Sequence, residues 1–157
     1  VTIGKITDFN VTDANNMGAA MAPAAADTII AHLSDLGLEP NYYDAIITGD
    51  LGLTGSGMLR ELMDMHGYSL YDEKNNCFRH QDCGAMIFDP IKQKTHSGGS
   101  GCGCIASVFA SYFYKQLQGG NLKRILVVGT GALMSPISVK QSESISGIAH
   151  AVAIEAQ

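Results

Sequence analysis

Strand-like and helix-like segments alternate along this chain, and two strand-like segments follow one another at its end. Segments of strand-like composition predict strands over 1–11, 43–50, 123–131 and 146–156. Apolar residues at helical spacing predict helices over 24–37, 57–67 and 104–120. Between them, 68–96 predicts one short strand followed by an irregular excursion. The order β-α-β-α-(β)-α-β-β predicts an α/β fold with a mixed five-stranded sheet and helices on its faces.

The composition favours a globular protein and argues against several classes of partner. The chain has 157 residues, of which 46% are hydrophobic and 16% charged, so one domain with a sizeable core is expected. A net charge of -5 gives no basic surface for nucleic acid or for an anionic membrane. No apolar run reaches the roughly 18 residues of a membrane-spanning helix. The start at Val1 rather than at methionine suggests a fragment of a longer protein.

Three glycine-containing turns are expected to meet at the carboxyl ends of the strands. In open α/β sheets this edge is where ligands bind. These turns lie at 48–52, 96–103 and 129–136. The middle turn, in the stretch "HSGGSGCGC" (96–104), precedes the third predicted helix. A loop of this kind can hold a phosphate, position a nucleophile, bind a metal, or let a helix pack closely on a sheet.

The glycine loop does not fit the standard nucleotide-binding motifs. A Walker loop needs a lysine after its glycines, and none is present in this loop. The dinucleotide fingerprint fails as well, because Met134 stands where "GTGALM" would need its third glycine. We therefore predict no cofactor. Backbone N–H groups at the start of the third helix remain able to hold a carboxylate.

Cysteine and histidine residues around the loop raise the possibility of zinc. The residue types suit this metal, and they are Cys77, His80, Cys83, His96, Cys102 and Cys104. Their spacing matches no standard zinc finger or ribbon, so no metal site is predicted. The plainer interpretation is a core Cys83 and a solvated His80. Four cysteines in a chain of this length favour a reducing compartment over a disulfide scaffold.

A second possibility is a nucleophilic Cys102, because a thiol at a helix start has a lowered pKa. Such a thiol would need a base, for which His96 and His150 are the candidates in the sequence, and an oxyanion hole. The plainer interpretation is that small residues allow close contact between helix and sheet.

Six motifs spread along the chain resemble a known family. They are "MGAAMAPAAADTI" (17–29), "DAIITGDL" (44–51), "HQDCGAMIF" (80–88), "GGSGC" (98–102), "RILVVGTGALMSP" (124–136) and "IAHAVAIE" (148–155). Together with the order of elements, they are similar to the C-terminal half of thiolase-fold proteins, and among these to the stage V sporulation protein AD family of endospore-forming bacteria. The resemblance implies a single thiolase-like C-terminal domain over 1–157, with the N-terminal half of that fold absent from this chain.

The resemblance also implies that the catalytic groups of thiolases and ketoacyl synthases are missing. Three loops of this half each supply one such group in those enzymes. The first loop places Gly49 and Asp50 where a histidine or asparagine would stand, the second places Ser100 there, and the third places Gly129 where a cysteine would stand. Because serine and glycine do not titrate near neutrality, no catalytic residue is expected.

The function that the resemblance implies is binding without catalysis. Proteins of this family are understood to bind dipicolinic acid (pyridine-2,6-dicarboxylate) for uptake into the developing spore, with other proteins of the same operon at the inner membrane. The expected ligand-binding residues are Asp50, Ser97, Gly98, Gly99, Ser100, Gly101 and Cys102. Asp50 would repel a dianion unless it is protonated or a cation such as calcium bridges the two. The alternatives are an active acyltransferase or ketoacyl-synthase-like enzyme with a rearranged site, and a scaffold that binds only proteins.

The third predicted helix is apolar on more than one side over 104–118, as a helix packed between two sheets would be. We therefore expect it to be central and buried. A lone half of a two-half fold would leave part of this helix exposed, and a second copy of the chain is the simplest cover. A homo-oligomer is accordingly expected.

Overall fold

A mixed five-stranded sheet forms the centre of the molecule. The computed structural model describes residues 1–99 and 101–156. Its strands are β1 (Thr2–Ile3), β2 (Ala45–Thr48), β3 (Tyr71–Asp72), β4 (Cys77–Phe78), β5 (His80–Asp82), β6 (Arg124–Ala132) and β7 (Gly147–Glu155). The sheet has the order β1-β7-β6-β2-β5, while β3 and β4 form a separate hairpin. Strands β6, β2 and β5 run parallel, and β7 is antiparallel to both of its neighbours. The predicted α/β fold with a mixed five-stranded sheet is confirmed.

Helices cover both faces of this sheet. The helices of the described residues are α1 (Met17–Leu36), α2 (Gly52–Met65), α3 (Cys83–Met86), α4 (Cys104–Val108), α5 (Tyr114–Gln118) and α6 (Pro136–Lys140), of which α6 has no buried residue. Helices α1 and α2 pack with Ile46, Leu126 and Val128 in one core cluster. On the opposite face, α4 and α5 pack on Ile47 and Ile125 in a second cluster. Among the described residues, no helix combines the length and apolar character needed to cross a membrane.

The first two long helices begin earlier than their apolar patterns predict. Helix α1 starts at Met17 because the Asn16 side chain accepts a hydrogen bond from the Ala19 N–H group, and Pro23 lies inside the helix. It ends at Gly37, which has the left-handed conformation of a helix C-terminus. Helix α2 starts at Gly52, the last residue of the turn predicted over 48–52, and thus five residues before the predicted start at Gly57.

The other differences concern short elements. The strand predicted over 1–11 is limited to Thr2–Ile3, with one further bridge between Thr7 and Gly147. The segment 68–96 contains a hairpin, strand β5 and the short helix α3 rather than one strand. Helix α6 was not predicted, and Ser135 caps it by accepting the Ser138 N–H group.

The third helix runs from α4 to α5 through one π-helical turn, Phe109–Phe113. Its buried side chains follow spacings of four, five and four residues, and they are Cys104, Val108, Phe113 and Leu117. The extra residue of the π turn keeps both halves of the helix facing the sheet. The opposite face is exposed, with Ala106, Ser107, Ala110 and Ser111 on it. The expectation of a central, buried helix is therefore wrong for this chain, because none of the residues 1–99 and 101–156 covers that face.

Two glycines of α2 should respond oppositely to alanine. A Cβ atom at Gly55 would lie 2.9 Å from the Gly18 Cα atom of α1, whereas a Cβ at Gly57 would meet no atom within 4 Å. We expect Gly55→Ala to lower the free energy of unfolding by about 1–3 kcal/mol through overpacking. Gly57→Ala should raise it by about 0.5–1 kcal/mol, because alanine favours the helix. Urea denaturation measures both, and equal effects would contradict the close approach of α1 and α2.

Neighbouring aromatic residues of the π turn provide a second test. Phe113 is fully buried, whereas the Tyr112 side chain is 45% exposed. Phe113→Ala should lower the free energy of unfolding by about 3–5 kcal/mol because it leaves a cavity against the sheet. Tyr112→Ala should lower it by less than about 1 kcal/mol. The reverse ranking in chemical denaturation would mean that the helix is rotated from the position described.

Candidate functional site

The three predicted turns meet at the carboxyl ends of β2 and β6. They surround a cavity of 180 Å³, called here the small cavity, to which Gly49, Asp50, Cys102 and Thr130 contribute. A second cavity of 420 Å³, the large cavity, lies beside it and is lined by residues that include Asn15, Asn16, Thr54 and Ser97. Asp50 and Gly101 line both cavities.

Most of the predicted ligand-binding residues lie at these two cavities. The large cavity contains Ser97, Gly98 and Gly99 in addition to the two shared residues, and Cys102 lies at the small cavity. Ser100 lies outside the described residues. Gly129 is part of β6 and lines neither cavity, whereas the adjacent Thr130 lines the small one.

The Asp50 carboxylate is seated among three glycines, Gly84, Gly99 and Gly101, which together are called the glycine cradle. The Gly101 N–H group donates a hydrogen bond of 2.7 Å to Asp50 Oδ2. A Cβ atom added at Gly99 or Gly84 would lie 2.8 or 3.0 Å from Asp50 Oδ1. A side chain larger than hydrogen at either position would press on the carboxylate. The loop therefore does hold a carboxylate, and in this chain it is that of Asp50.

Other groups of the loop hold the loop itself in place. The Gly98 and Gly99 N–H groups donate to the carbonyls of Thr95 and Gly84 at 2.9 and 3.0 Å. The Ser97 hydroxyl accepts from the Thr54 N–H group at 2.9 Å and donates to the Thr54 hydroxyl at 3.1 Å. Ser97 is expected to bind ligand. In this structure its hydroxyl instead hydrogen-bonds the backbone N–H group and the side chain of Thr54 in the first turn of α2.

A buried carboxylate, Asp82, fixes the turn that carries Asp50. It accepts hydrogen bonds from the Leu51 and Gly52 N–H groups at 2.9 Å each and from Ala85 N–H at 3.1 Å. The Thr48 hydroxyl donates to it at 2.6 Å. Burial raises the pKa of Asp82, and these four hydrogen bonds oppose that rise. Asp82 joins the end of β2 to the first turns of α2 and α3.

His80 is buried beside this carboxylate, so the interpretation of a solvated His80 is wrong. Because the Thr48 hydroxyl donates to Asp82, it accepts from His80 Nε2–H, 2.9 Å away. Burial and then the Arg60 charge lower the pKa of His80 to about 3, so the imidazole is neutral at physiological pH. Its Nδ1 atom has no hydrogen-bond partner among the described residues.

The cysteines do not assemble a metal site. Cys83 is buried as predicted, and burial followed by the charge of Asp82 raises its pKa to about 12. A thiol of this kind resists the deprotonation that zinc binding requires. Cys77 and Cys102 are exposed. Within residues 1–99 and 101–156, no three potential metal ligands of the His, Cys, Asp or Glu type come together.

The histidines proposed as bases for Cys102 line neither cavity. His96 is exposed, and His150 Nδ1 accepts from the Gly4 N–H group at 3.1 Å. Neither cavity has a histidine in its lining, as far as the chain is described. Sequence reasoning missed Asp82 and Gly84, although the run "DCGA" carries a helix-capping aspartate as a local signal.

Comparison with known proteins agrees with the motifs. A model of the family "Stage V sporulation protein AD" matches residues 1–155. The stage V sporulation protein AD of Bacillus subtilis (strain 168) is 46% identical over 154 residues, which cover 98% of this chain and 44% of that protein. The chain thus spans less than half the length of this relative.

A structural likeness exists to a ketosynthase, ApeO, solved in complex with its chain length factor ApeC from Xenorhabdus doucetiae. It covers 88% of this chain and 58% of the ketosynthase chain, with 11% sequence identity and a TM-score of 0.39. The family assignment rests instead on the sequence matches, which extend over nearly every residue. On that basis, the chain belongs to the stage V sporulation protein AD family, whose members are sporulation proteins.

Proposed function

We propose that this chain is part of a non-catalytic sporulation protein that binds dipicolinic acid for its uptake into the developing spore. The observation that carries the proposal is the glycine cradle, which holds a carboxylate with a backbone N–H group at the junction of two cavities. Family membership supports the sporulation role. The ligand itself is inferred from the family resemblance and from the chemistry of this site.

The lining of the two cavities suits a flat aromatic dicarboxylate. Met17, Met21 and Ile105 give the small cavity an apolar wall for a ring. The large cavity offers hydroxyl and amide groups, including those of Thr54 and Asn15. Neutral donors of this kind satisfy carboxylates without a basic patch. No lysine or arginine lines either cavity in the described residues, so binding as a calcium chelate would reduce repulsion from Asp50.

The same geometry argues against acyl transfer. A general base must lie within roughly 2.6–3.2 Å of the proton donor that it serves. His80 and Asp82 are titratable groups below the turn that carries Asp50, but both are buried and hydrogen-bonded to Thr48. Cys102 is the candidate nucleophile of this chain, and the described lining of its cavity contains no histidine.

Location and partners follow from the same proposal. We place the protein in the developing spore, peripheral to its inner membrane, and together with other proteins of the same operon. We propose that these partners hold it at the membrane. Because the chain spans 44% of its Bacillus subtilis relative, the remainder of the protein can contribute to each of these interactions.

An exposed apolar surface supports self-association of the isolated chain. It is called the helix-side patch and consists of Ile105, Ala106, Phe109, Val127, Val152 and Ile154. Val127 pairs with Val152 across β6 and β7, on the part of the sheet that the third helix leaves uncovered. Small residues on the exposed face, Ala106 and Ala110, would let a second helix approach closely. We propose that a second copy covers this patch.

Dipicolinate titration of the longest form that the gene encodes tests the main proposal. Calorimetry should detect binding, and Gly99→Ala should weaken it at least tenfold. Gly99 has φ +102°, and an added Cβ would lie 2.8 Å from Asp50 Oδ1, so the cradle must distort. Gly103→Ala is the matched control, because a Cβ there meets no atom within 4 Å. Circular dichroism verifies that both variants are folded.

Two results would contradict the proposal that the glycine cradle binds dipicolinate without catalysis. Unchanged affinity in a folded Gly99→Ala variant would mean that the loop serves only helix packing. Turnover of acetyl-CoA or acetoacetyl-CoA that disappears in Cys102→Ala would establish the acyltransferase alternative.

Sedimentation tests the helix-side patch. We expect the 157-residue chain to self-associate at micromolar concentration, and Val152→Lys to shift it to monomer by placing a charge in the apolar contact. Met65→Lys is the control, since Met65 is 80% exposed on α2, which packs on the opposite face of the sheet. A monodisperse wild-type monomer would rule out association through this surface.

A further inference from the structure

We propose that the Asp50 carboxylate is an internal competitor for the glycine cradle. In the ligand-free chain it occupies a carboxylate subsite, and a ligand carboxylate takes that place when the Asp50 side chain moves out. The identity of the natural ligand rests on the proposed function, whereas the cradle and its occupant rest on the geometry of this chain.

The shape of the cradle fits a carboxylate and is open on one side. Gly99 and Gly84 close two sides, because a Cβ at either would lie within 3.0 Å of Asp50 Oδ1. Gly101 supplies the N–H donor at 2.7 Å, and its own Cβ position meets no atom within 4 Å. Among the described residues, the space beside the Gly101 Cα atom is therefore open, and we propose that an incoming carboxylate enters the cradle from this side.

Asp50 lies between two cavities, which provide space for its side chain outside the cradle. Its carboxylate is seated in the cradle while the residue contributes to the walls of both the large and the small cavity. The large cavity has a volume of 420 Å³ and is lined by Asn15 and Thr54, which can hydrogen-bond a displaced carboxylate. We propose that rotation of this side chain toward the large cavity empties the cradle.

Charge makes the two occupants mutually exclusive. Two carboxylates within about 4 Å of each other repel strongly unless a cation lies between them. Neither cavity has a lysine or arginine in its described lining. One N–H group of Gly101 also cannot serve two acceptors equally well. A ligand carboxylate and Asp50 therefore compete for one subsite.

The alternative is that Asp50 only fastens the loop, and the two roles predict opposite effects. A fastener, once removed, loosens the site and weakens ligand binding. A competitor, once removed, frees the subsite and strengthens binding. Asp50→Ala removes the atoms of one formate ion, so formate is the probe that matches the emptied cradle. Asp50→Asn fills the cradle with a neutral amide that still accepts the Gly101 N–H group.

The experiment uses the longest form that the gene encodes, as wild type, Asp50→Ala, Asp50→Asn and the exposed control Asp64→Ala. Formate should raise the melting temperature of Asp50→Ala and leave that of the other three unchanged. Dipicolinate should bind Asp50→Ala about tenfold more tightly than wild type, and formate should compete with it there. Asp64→Ala, which removes a carboxylate from the end of α2, should bind like wild type.

Each outcome decides between the roles. Absence of formate stabilisation, or weaker dipicolinate binding in folded Asp50→Ala, overturns the proposal while wild-type binding keeps the proposed function. Formate stabilisation without dipicolinate binding in any form upholds the cradle and rejects dipicolinate as its ligand. If Asp50→Ala does not fold, Asp50→Asn decides: tighter dipicolinate binding than wild type supports competition between the charges, and equal or weaker binding overturns it.

Discussion

The buried carboxylate of Asp82 is the interaction on which the rest of the site depends. Its oxygens accept hydrogen bonds from Thr48, Leu51, Gly52 and Ala85, which belong to three different elements. Hydrogen bonds to a charged group contribute about 1.5–3 kcal/mol each, and an unpaired buried carboxylate would be strongly unfavourable. The four donors and the carboxylate therefore require one another, and their arrangement fixes the turn that carries Asp50.

From this turn outward, the site is assembled by backbone groups. The Gly84 N–H group donates to the Gly49 carbonyl at 3.0 Å, and the Gly84 carbonyl accepts from Gly99 N–H at the same distance. The backbone contacts thus continue from the end of β2 to the start of α3 and on to the glycine loop. Close approach at each step needs residues without a Cβ atom, which explains the glycines at 84 and 99.

The sequence predicts the sheet well because its strands are determined locally. The apolar stretches of β2 and β6 alternate with amphipathic helices, and that order leaves few topologies. Helix starts were less predictable, because α2 begins where Asp82, thirty residues away, accepts the Gly52 N–H group. The positions of the strand ends in the sequence predict that the three turns meet. They do not predict the glycine cradle. Gly84 completes the cradle from the segment 68–96, which the sequence predicts to be a short strand and an irregular excursion. The periodicity of the sequence does not indicate that Asp50 occupies the cradle.

The chemistry of the site follows from the kind of donor that it uses. A backbone N–H group, such as that of Gly101, donates a hydrogen bond but does not release its proton near neutral pH. Imidazole could exchange a proton in that range, yet His80 is held neutral by burial, with a pKa of about 3. A site built from amides discriminates among ligands by the placement of their acceptors rather than by proton transfer. In this chain the space among the three glycines accommodates one carboxylate, that of Asp50, which accepts the Gly101 N–H group.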